Sequence, residues 1–545
     1  MADWHFATAL ERVADTIPDR DAMICGDTVV SWREYEQRAA RLAAALVELG
    51  VPEGAHIGLY LHNCNEYLEG HFATFKLSGC PINVNYRYKA EELVYLLDNA
   101  DVEALIFQST YAERIAEIRH QLPKIKCFVQ VDDGSGVALL DGAVDFEAIV
   151  AQAAPLARSE RKRTDLYMLY TGGTTGMPKG VMYNNGDWCR ELIRGYRNYK
   201  MPIPETVDDI PSSLDIALQS DQLGVSLAAC PLMHGTGIWI GALTPQLAGS
   251  AVLTIPALGL DADRIWREVE RRRVTHMTIV GDAFARPLLK SLDEAVANGT
   301  PFDLSSMRVI TSSGVMWSME VKQELLHHHD FVLVDAMGSS EGTMGGSVVK
   351  RGTLKKSKTA SFKLNPNVRV FTEDGRRVEP GSGENGMIAT PSPMIGYYKD
   401  PEKTAATIRE IDGVHYVIPG DFATVDEDGS IVLLGRGSMC INTAGEKVFP
   451  EEVEEVIKKH PAIADCLVVG VPDERFGQRV VAVLAADGAK SEDDDALYAH
   501  ARSHLAGYKL PKDLVWVEVV QRAPNGKADY KWAKSMALDR LQISA

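Results

Sequence analysis

No C-x-x-C pair occurs in this chain, and its eight cysteines (25, 64, 80, 127, 189, 230, 440 and 466) are scattered. That spacing excludes a zinc ribbon and a disulfide framework and predicts reduced thiols. Long apolar runs are lacking too: the longest are strand-sized, far short of a membrane span. The N-terminal stretch "MADWHFATALERVADTIPDR" is acidic and amphipathic, with neither a basic leader nor a cleavage site. A cytoplasmic protein without a transmembrane segment is the expectation. Positive charge is scarce as well, since 57 Lys and Arg stand against 75 Asp and Glu, a net charge of −18. A surface that negative repels nucleic acid, so any anionic ligand must be held by a local arrangement of donors.

What is present fits a globular protein, with 46% apolar and 24% charged residues. At 545 residues the chain is too long for one ordinary core, so at least two domains are expected. Up to about residue 165, helix and strand patterns alternate. "SWREYEQRAARLAAALVELG" has helical apolar spacing and a glycine stop at Gly50, and "HIGLYL" reads as a buried strand. "EYLEGHFATFKLSG" is the next helix, and "VEALIFQS" and "KCFVQVD" are further strands. This order predicts doubly wound α/β layers. "AVLTIPA", "VTHMTIVG", "RVITSSG" and "FVLVDAMG" continue the pattern. From about 366 the texture becomes β-rich, with Asp-Gly turns in "NVRVFTEDGRRVEPGSGENGMIAT" and "DFATVDEDGSIVLLGRG". A helix–strand–strand unit follows a short break at 435–439.

Three stretches carry chemistry. "YTGGTTGMPKGV" (170–181) is a glycine- and hydroxyl-rich turn with a lysine, suited to a nest of donors for phosphate oxygens. It fails the Walker A spacing, because Met177 and Pro178 stand between Gly176 and Lys179. "GSSEG" (338–342) satisfies G-x-S-x-G after a strand, which as a hydrolase elbow makes Ser340 a nucleophile with His415, His460 or His504 downstream. Against that esterase reading, "GTMGGSVV" is a poor helix and no HGGG-type oxyanion loop precedes it. The rival reading has Ser340 contact a phosphate and Glu341 hold Mg²⁺. "HHHD" (327–330) reads as a solvated helix end, and "GTGIWIG" (235–241) misses the dinucleotide fingerprint at Ile240.

Taken in order along the whole chain, these segments resemble the adenylate-forming (AMP-binding) superfamily, most closely bacterial fatty-acyl-CoA synthetases. "YTGGTTGMPKG" resembles its phosphate loop and "MGSSE" its Y-G-x-T-E segment. "GYYKDPEKT" (396–404) matches G-Y-x-x-x-P-x-x-T, and "PNGKADY" carries Lys527 at the position of a C-terminal catalytic lysine. The resemblance implies an N-terminal domain over 1–436, with a β-rich subdomain at about 366–436, and a small mobile α+β domain over 437–545. The hinge maps to Ser438, where the family usually has Asp or Lys.

On that resemblance, ATP would be held by Thr171, Gly172, Gly173, Thr174, Thr175, Gly176 and Lys179 of the loop. Ser313, Gly314, Met337, Gly338, Ser339 and Ser340 would complete the nucleotide contacts in the N-terminal half, with Asp421, Leu433 and Arg436 further on. Met337 stands where an aromatic usually stacks on adenine. Lys527, Glu341 and His234 are the implied catalytic residues, with Mg²⁺ on Glu341. A carboxylic acid would be activated as acyl-AMP with release of pyrophosphate, then passed to coenzyme A. "PLMHGTG" (231–237) would open the acyl pocket, and Gly235, Gly237, Gly241 and Ala242, with Gly314, are expected to leave room for a bulky or long apolar acid. No acidic residue occurs between Pro231 and Ile240, which disfavours an amino-acid substrate because its buried ammonium would lack a counterion. No carrier domain follows residue 545, so free CoA is the expected acceptor. A medium- or long-chain fatty acid or a steroid side-chain-like acid is expected; an inactive nucleotide-binding homologue is a further alternative, and a homodimer stays open.

Overall fold

The structure is a computed structural model that describes residues 3–171, 177–256, 259–352, 361–443, 446–473, 477–488, 494–523 and 526–543. The chain forms two compact units. The first comprises Met1–Gly342, Val348–Lys355 and Ser392–Ala406; the second comprises Thr343–Ser347, Lys356–Pro391 and Thr407–Ala545.

Two parallel sheets dominate the first unit. In one, His56–Tyr60 lies between Cys80–Asn83 and Val102–Gln108, followed by Cys127–Val131 and Val144–Asp145. The chain builds outward on one side of its first strand and then on the other, the order of a doubly wound layer. The second runs Val332–Ser339, Val309–Ser313, His276–Ile279, Val225–Ala228, Ala251–Thr254 and Asp21–Cys25, all parallel, and ends in an antiparallel hairpin with Thr28–Ser31. A third, antiparallel sheet joins Met394–Tyr397, Lys179–Asn184 and Leu166–Thr171.

Local chemistry explains the helices around these sheets. Trp32–Glu48 starts at Ser31 with a reciprocal Ser31–Glu34 capping box, and Gly50 takes φ +86° just past its end. It packs on Asn65–Lys76, whose residues are nearly all buried. That burial includes Lys76, which sits 2.8 Å from Glu11 and 2.7 Å from Glu36, while Arg161 forks onto Glu11 at 3.0 Å twice. A buried ammonium needs such partners to remain charged.

The second unit begins with an antiparallel sheet ordered Arg369–Phe371, Asn385–Ala389, Asp421–Val425, Ile431–Arg436, Ser361–Leu364 and Gly342–Val349. Its Asp-Gly turns place Gly375 at φ +87° and Gly429 at φ +78°, where a side chain is disfavoured. Beyond it lies a sheet ordered Glu446–Val448, Ile441–Thr443, Gly477–Ala486 and Ile463–Asp473, with Asp513–Trp516 added parallel to Gly477–Ala486. Gly477–Ala486 sends Val480, Ala482 and Leu484 to one core with Val453 and Leu497. Val481, Val483 and Ala485 go to another core with Ala533 and Ala537. Helices cover both faces, so the strand reads as an unbroken apolar run. The chain is thus mixed α/β, as expected. Among the described residues no helix is long and apolar enough to cross a membrane.

Candidate active site

The glycine-rich turn spans a hairpin. Leu166–Thr171 and Lys179–Asn184 pair so that Thr171 faces Lys179, which closes the loop at its base. Gly172, Gly173, Thr174, Thr175 and Gly176 lie outside the described residues. Lys179 Nζ is 2.6 Å from Asp400 Oδ2, and that contact, with the Lys403 backbone N–H, holds the Asp400 carboxyl below its ordinary range. Asn83, at the end of its strand, ties this hairpin to the acyl segment. Its amide donates to the Tyr170 carbonyl at 2.8 Å and the Met233 carbonyl at 2.6 Å, and its Oδ1 accepts from Tyr170 N at 2.7 Å.

Three other predicted segments share one edge of the larger parallel sheet. Parallel strands end on the same side, so the residues after Ala228, Ser313 and Ser339 all emerge there. They are the His234 segment, Ser313–Gly314, and Met337 to Glu341. Gly314 takes φ +91°, and the position of a Cβ on it would be 3.4 Å from Thr236 Oγ1, so the first two segments meet. Met337 is buried, Gly338 is exposed, and Ser339 and Ser340 are half-buried. Glu341 is buried, its backbone N–H donating to Ser339 Oγ at 3.2 Å. Tyr397 donates to Glu341 Oε1 at 2.8 Å, and the Tyr183 hydroxyl donates to the Ser340 carbonyl.

The hydrolase elbow does not form. Ser340 is followed by the strand Gly342–Val349 rather than a helix, so its hydroxyl is not raised on a strand-to-helix turn.

His234 is half-buried, with its backbone N–H on the Pro231 carbonyl at 3.2 Å and its own carbonyl accepting from Ile238. From Thr236 to Leu243 the chain winds as a π-helix, a form that recurs at functional sites and that periodicity does not announce. Its glycines and the one before it stand against close neighbours. A Cβ on Gly237 would lie 2.1 Å from the Pro231 carbonyl oxygen, one on Gly235 2.9 Å from the Trp239 ring, and one on Gly241 3.1 Å from Ala228 Cβ. Ala242 is fully buried. At these positions the chain packs closely on itself, so an added Cβ would meet neighbouring atoms. Trp239 fills the volume behind Gly235. Its indole N–H donates to Tyr167 Oη at 2.7 Å, and its ring meets Trp188 edge-on at 4.6 Å.

In the second unit, Asp421 and Arg436 stand opposite each other on paired strands, and Leu433 is half-buried on the same ladder. Ser438 falls in the 3₁₀ turn Gly437–Met439. Lys527 is exposed on a tight turn whose carbonyl accepts from Ala523 N at 2.8 Å. Arg522 braces that turn, donating to the Gly526 carbonyl at 3.1 Å and forking onto Asp465 at 2.6 and 2.7 Å.

Among the described residues no group of three His, Cys, Asp or Glu converges as a metal cage. Mg²⁺ takes one or two carboxylates plus nucleotide phosphates and water, and a buried carboxylate such as Glu341 is the type of ligand it uses. Glu341 fits that role, its Oε1 occupied by Tyr397.

Asn83, Tyr397, Asp400 and Arg522 were not foreseen as site residues. Tyr397 and Asp400 lie inside the quoted "GYYKDPEKT", but their partners are 56 and 221 positions away.

The profile of the AMP-binding enzyme family matches residues 10–398, and that of the AMP-binding enzyme C-terminal domain matches 452–527. A 3-oxocholest-4-en-26-oate–CoA ligase of Rhodococcus rhodochrous is 40% identical over 97% of this chain and 95% of its own. The medium-chain acyl-CoA ligase Mig of Mycobacterium avium is 40% identical over 97% of both chains. An anthranilate CoA ligase solved with anthranoyl-AMP superposes with a TM-score of 0.83 at 21% identity, covering 99% of each chain. With its sheet edge, phosphate-type hairpin and full-length relatives, this chain belongs to the AMP-binding enzyme family.

Proposed function

We propose that this chain is an ATP-dependent acyl-CoA synthetase, an acid–thiol ligase. The observation that carries the reading is the edge where Glu341, Gly314 and the His234 segment emerge together from parallel strands. A carboxylate is a poor acylating agent because oxide would be its leaving group. In the first half-reaction a carboxylate oxygen bonds to the α-phosphorus of ATP, the bond to the β-phosphate oxygen breaks, and pyrophosphate leaves. In the second, the CoA thiol bonds to the acyl carbon and AMP leaves with the former carboxylate oxygen.

Charge on the pentavalent phosphorus is the barrier, so positioned cations supply most of the catalysis. Lys527 neutralises charge between carboxylate and α-phosphate, and Lys179 with the loop 171–176 holds the distal phosphates. Met337, Ser339 and Ser340 line the nucleotide, Asp421 and Arg436 grip the ribose, and His234 sits by the substrate carboxylate. Mg²⁺ bound by Glu341 and the phosphates would offset their negative charge. The mobile domain spans 437–545, with its hinge near Ser438.

The acid is a medium- or long-chain fatty acid or a bulky steroid side-chain-like acid. That choice is supported by what the two 40%-identical relatives are named for, and by the lack of an acidic side chain between Pro231 and Ile240. The enzyme works in the cytoplasm, and a homodimer is compatible with the reading.

Pyrophosphate release from MgATP, measured against acids from acetate to long fatty and steroid side-chain acids with and without CoA, tests this. Turnover that needs both a long or bulky acid and CoA is the expected result. Silence across the panel with ATP still bound would turn the assignment to an inactive nucleotide-binding homologue.

A further inference from the structure

The segment "GYYKDPEKT" forms a self-bracing frame in the first unit. Gly396 takes φ +146° and pairs with Met182, and a Cβ there would lie 2.9 Å from Thr404 Cγ2, which selects glycine. Thr404 Oγ1 accepts from Tyr397 N at 2.9 Å and donates to the Asp400 carbonyl at 2.8 Å, closing the turn on itself. Pro401 opens the short helix that carries Thr404, where its missing N–H costs nothing. Tyr398 N donates to the Gly180 carbonyl at 2.8 Å, and the Tyr398 hydroxyl reaches Asp101 at 2.6 Å. Thus the frame is fastened to the hairpin of the glycine-rich loop independently of any ligand.

Two side chains of this frame reach charges that lie far away in sequence. Asp400 takes Lys179, and Tyr397 donates to Glu341 Oε1 with only 5% and 7% of the two residues exposed. A buried carboxylate that gives one oxygen to a fixed phenol has lost its rotational freedom before any ligand arrives, and its second oxygen has a set direction.

We propose that Tyr397 is a positioning residue for Glu341: its hydroxyl orients the carboxylate that takes the cation, and the rest of the motif exists to hold that hydroxyl in place. The inference rests on the reading that Glu341 binds a divalent cation together with ATP. In this role Tyr397 acts through Glu341.

The test is calorimetric binding of ATP to the full chain, in excess Mg²⁺ and again in EDTA. It compares wild type, Tyr397→Phe, Glu341→Gln, their double variant, and Tyr398→Phe, which loses a comparable hydroxyl contact in the same segment. Tyr397→Phe should weaken MgATP about tenfold, what a hydrogen bond to a charged group is worth. It should leave ATP in EDTA within about twofold, with Tyr398→Phe matching wild type in both. Added to Glu341→Gln, it should cost nothing more. An equal loss with and without Mg²⁺, a matching loss in Tyr398→Phe, or a full loss in the Glu341→Gln background would overturn the proposal. If wild type gains nothing from Mg²⁺, the cation reading of Glu341 falls and takes the proposal with it. If the wild-type gain survives Tyr397→Phe intact, the proposal alone falls.

Discussion

Lys527 is held by its main chain, through the Ala523 contact and the Arg522 brace onto Asp465, while its side chain stays exposed. A short turn with a fixed base presents the side chain to solvent. Removing that ammonium should act on the developing phosphorane charge and not on the folded state. Lys527→Ala is therefore expected to slow acid-dependent pyrophosphate release by about 10²- to 10³-fold, while the Kd for ATP changes little. Stopped assays of pyrophosphate together with calorimetry separate the two, and a variant that adenylates normally would end the lysine's catalytic role. Lys527, Glu341 and His234 were candidates from the sequence because each stands in a short motif of the resembled family. Asn83 was not, since its partners at 170 and 233 are 87 and 150 positions away and nothing local distinguishes it from any other strand-end asparagine.

At the level of elements, the π-helix Thr236–Leu243 shows how a glycine is ambiguous in sequence. A small residue is equally compatible with room for a ligand and with room for the chain, and only the neighbours in space decide. Gly237→Ala would force a methyl to within 2.1 Å of the Pro231 carbonyl oxygen. We expect it to lower stability by about 1–3 kcal/mol in chemical denaturation, the usual cost of overpacking. The first helix, Phe6–Thr16, offers a pH test. Its N-cap His5 is fully buried, accepts from Ala7 N at 3.1 Å, and lies 3.5 Å from Asp165. Burial, helped by the Arg161 charge, lowers its pKa to about 3. In the unfolded chain the ring takes a proton near its ordinary value, so between there and about 3 the unfolded state binds a proton the folded state refuses. Stability must fall as pH drops through that window. His5→Asn keeps a capping oxygen and removes the titration. Between neutral pH and about pH 5 the variant should lose about 2 kcal/mol less than wild type. Buried His71 and His276, both lowered by burial to about 4, leave a residual slope in each.

For the whole molecule, a net charge of −18 sets the long-range field that ATP and CoA must cross. At about 0.01 M salt the screening length is roughly 30 Å, so an approaching polyanion feels the entire chain; at about 0.15 M it is roughly 8 Å and only the site's own donors count. The kcat/KM for CoA should therefore rise as NaCl increases over that range, the reverse of a cationic protein. A fall would mean that the local donors govern approach even at low salt. The scattered cysteines form no disulfide in the structure, and most of them are buried. Burial raises the thiols of Cys80, Cys189 and Cys230 well above their ordinary range, consistent with inert packing groups.

The alternation of elements, their caps and turns, the family and the short motifs of the candidate site were legible along the chain. Apolar period, a capping box or an Asp-Gly turn is written within a few residues, where one residue's conformation depends mainly on its neighbours. Which partner each motif meets came from the tertiary fold: Tyr397 on Glu341, Asp400 on Lys179, and Asn83 between the loop hairpin and the His234 segment. The Tyr397, Asp400 and Asn83 pairings join positions 56 to 221 residues apart. They depend on strand order and on the close packing of side chains, neither of which leaves a periodic trace along the chain.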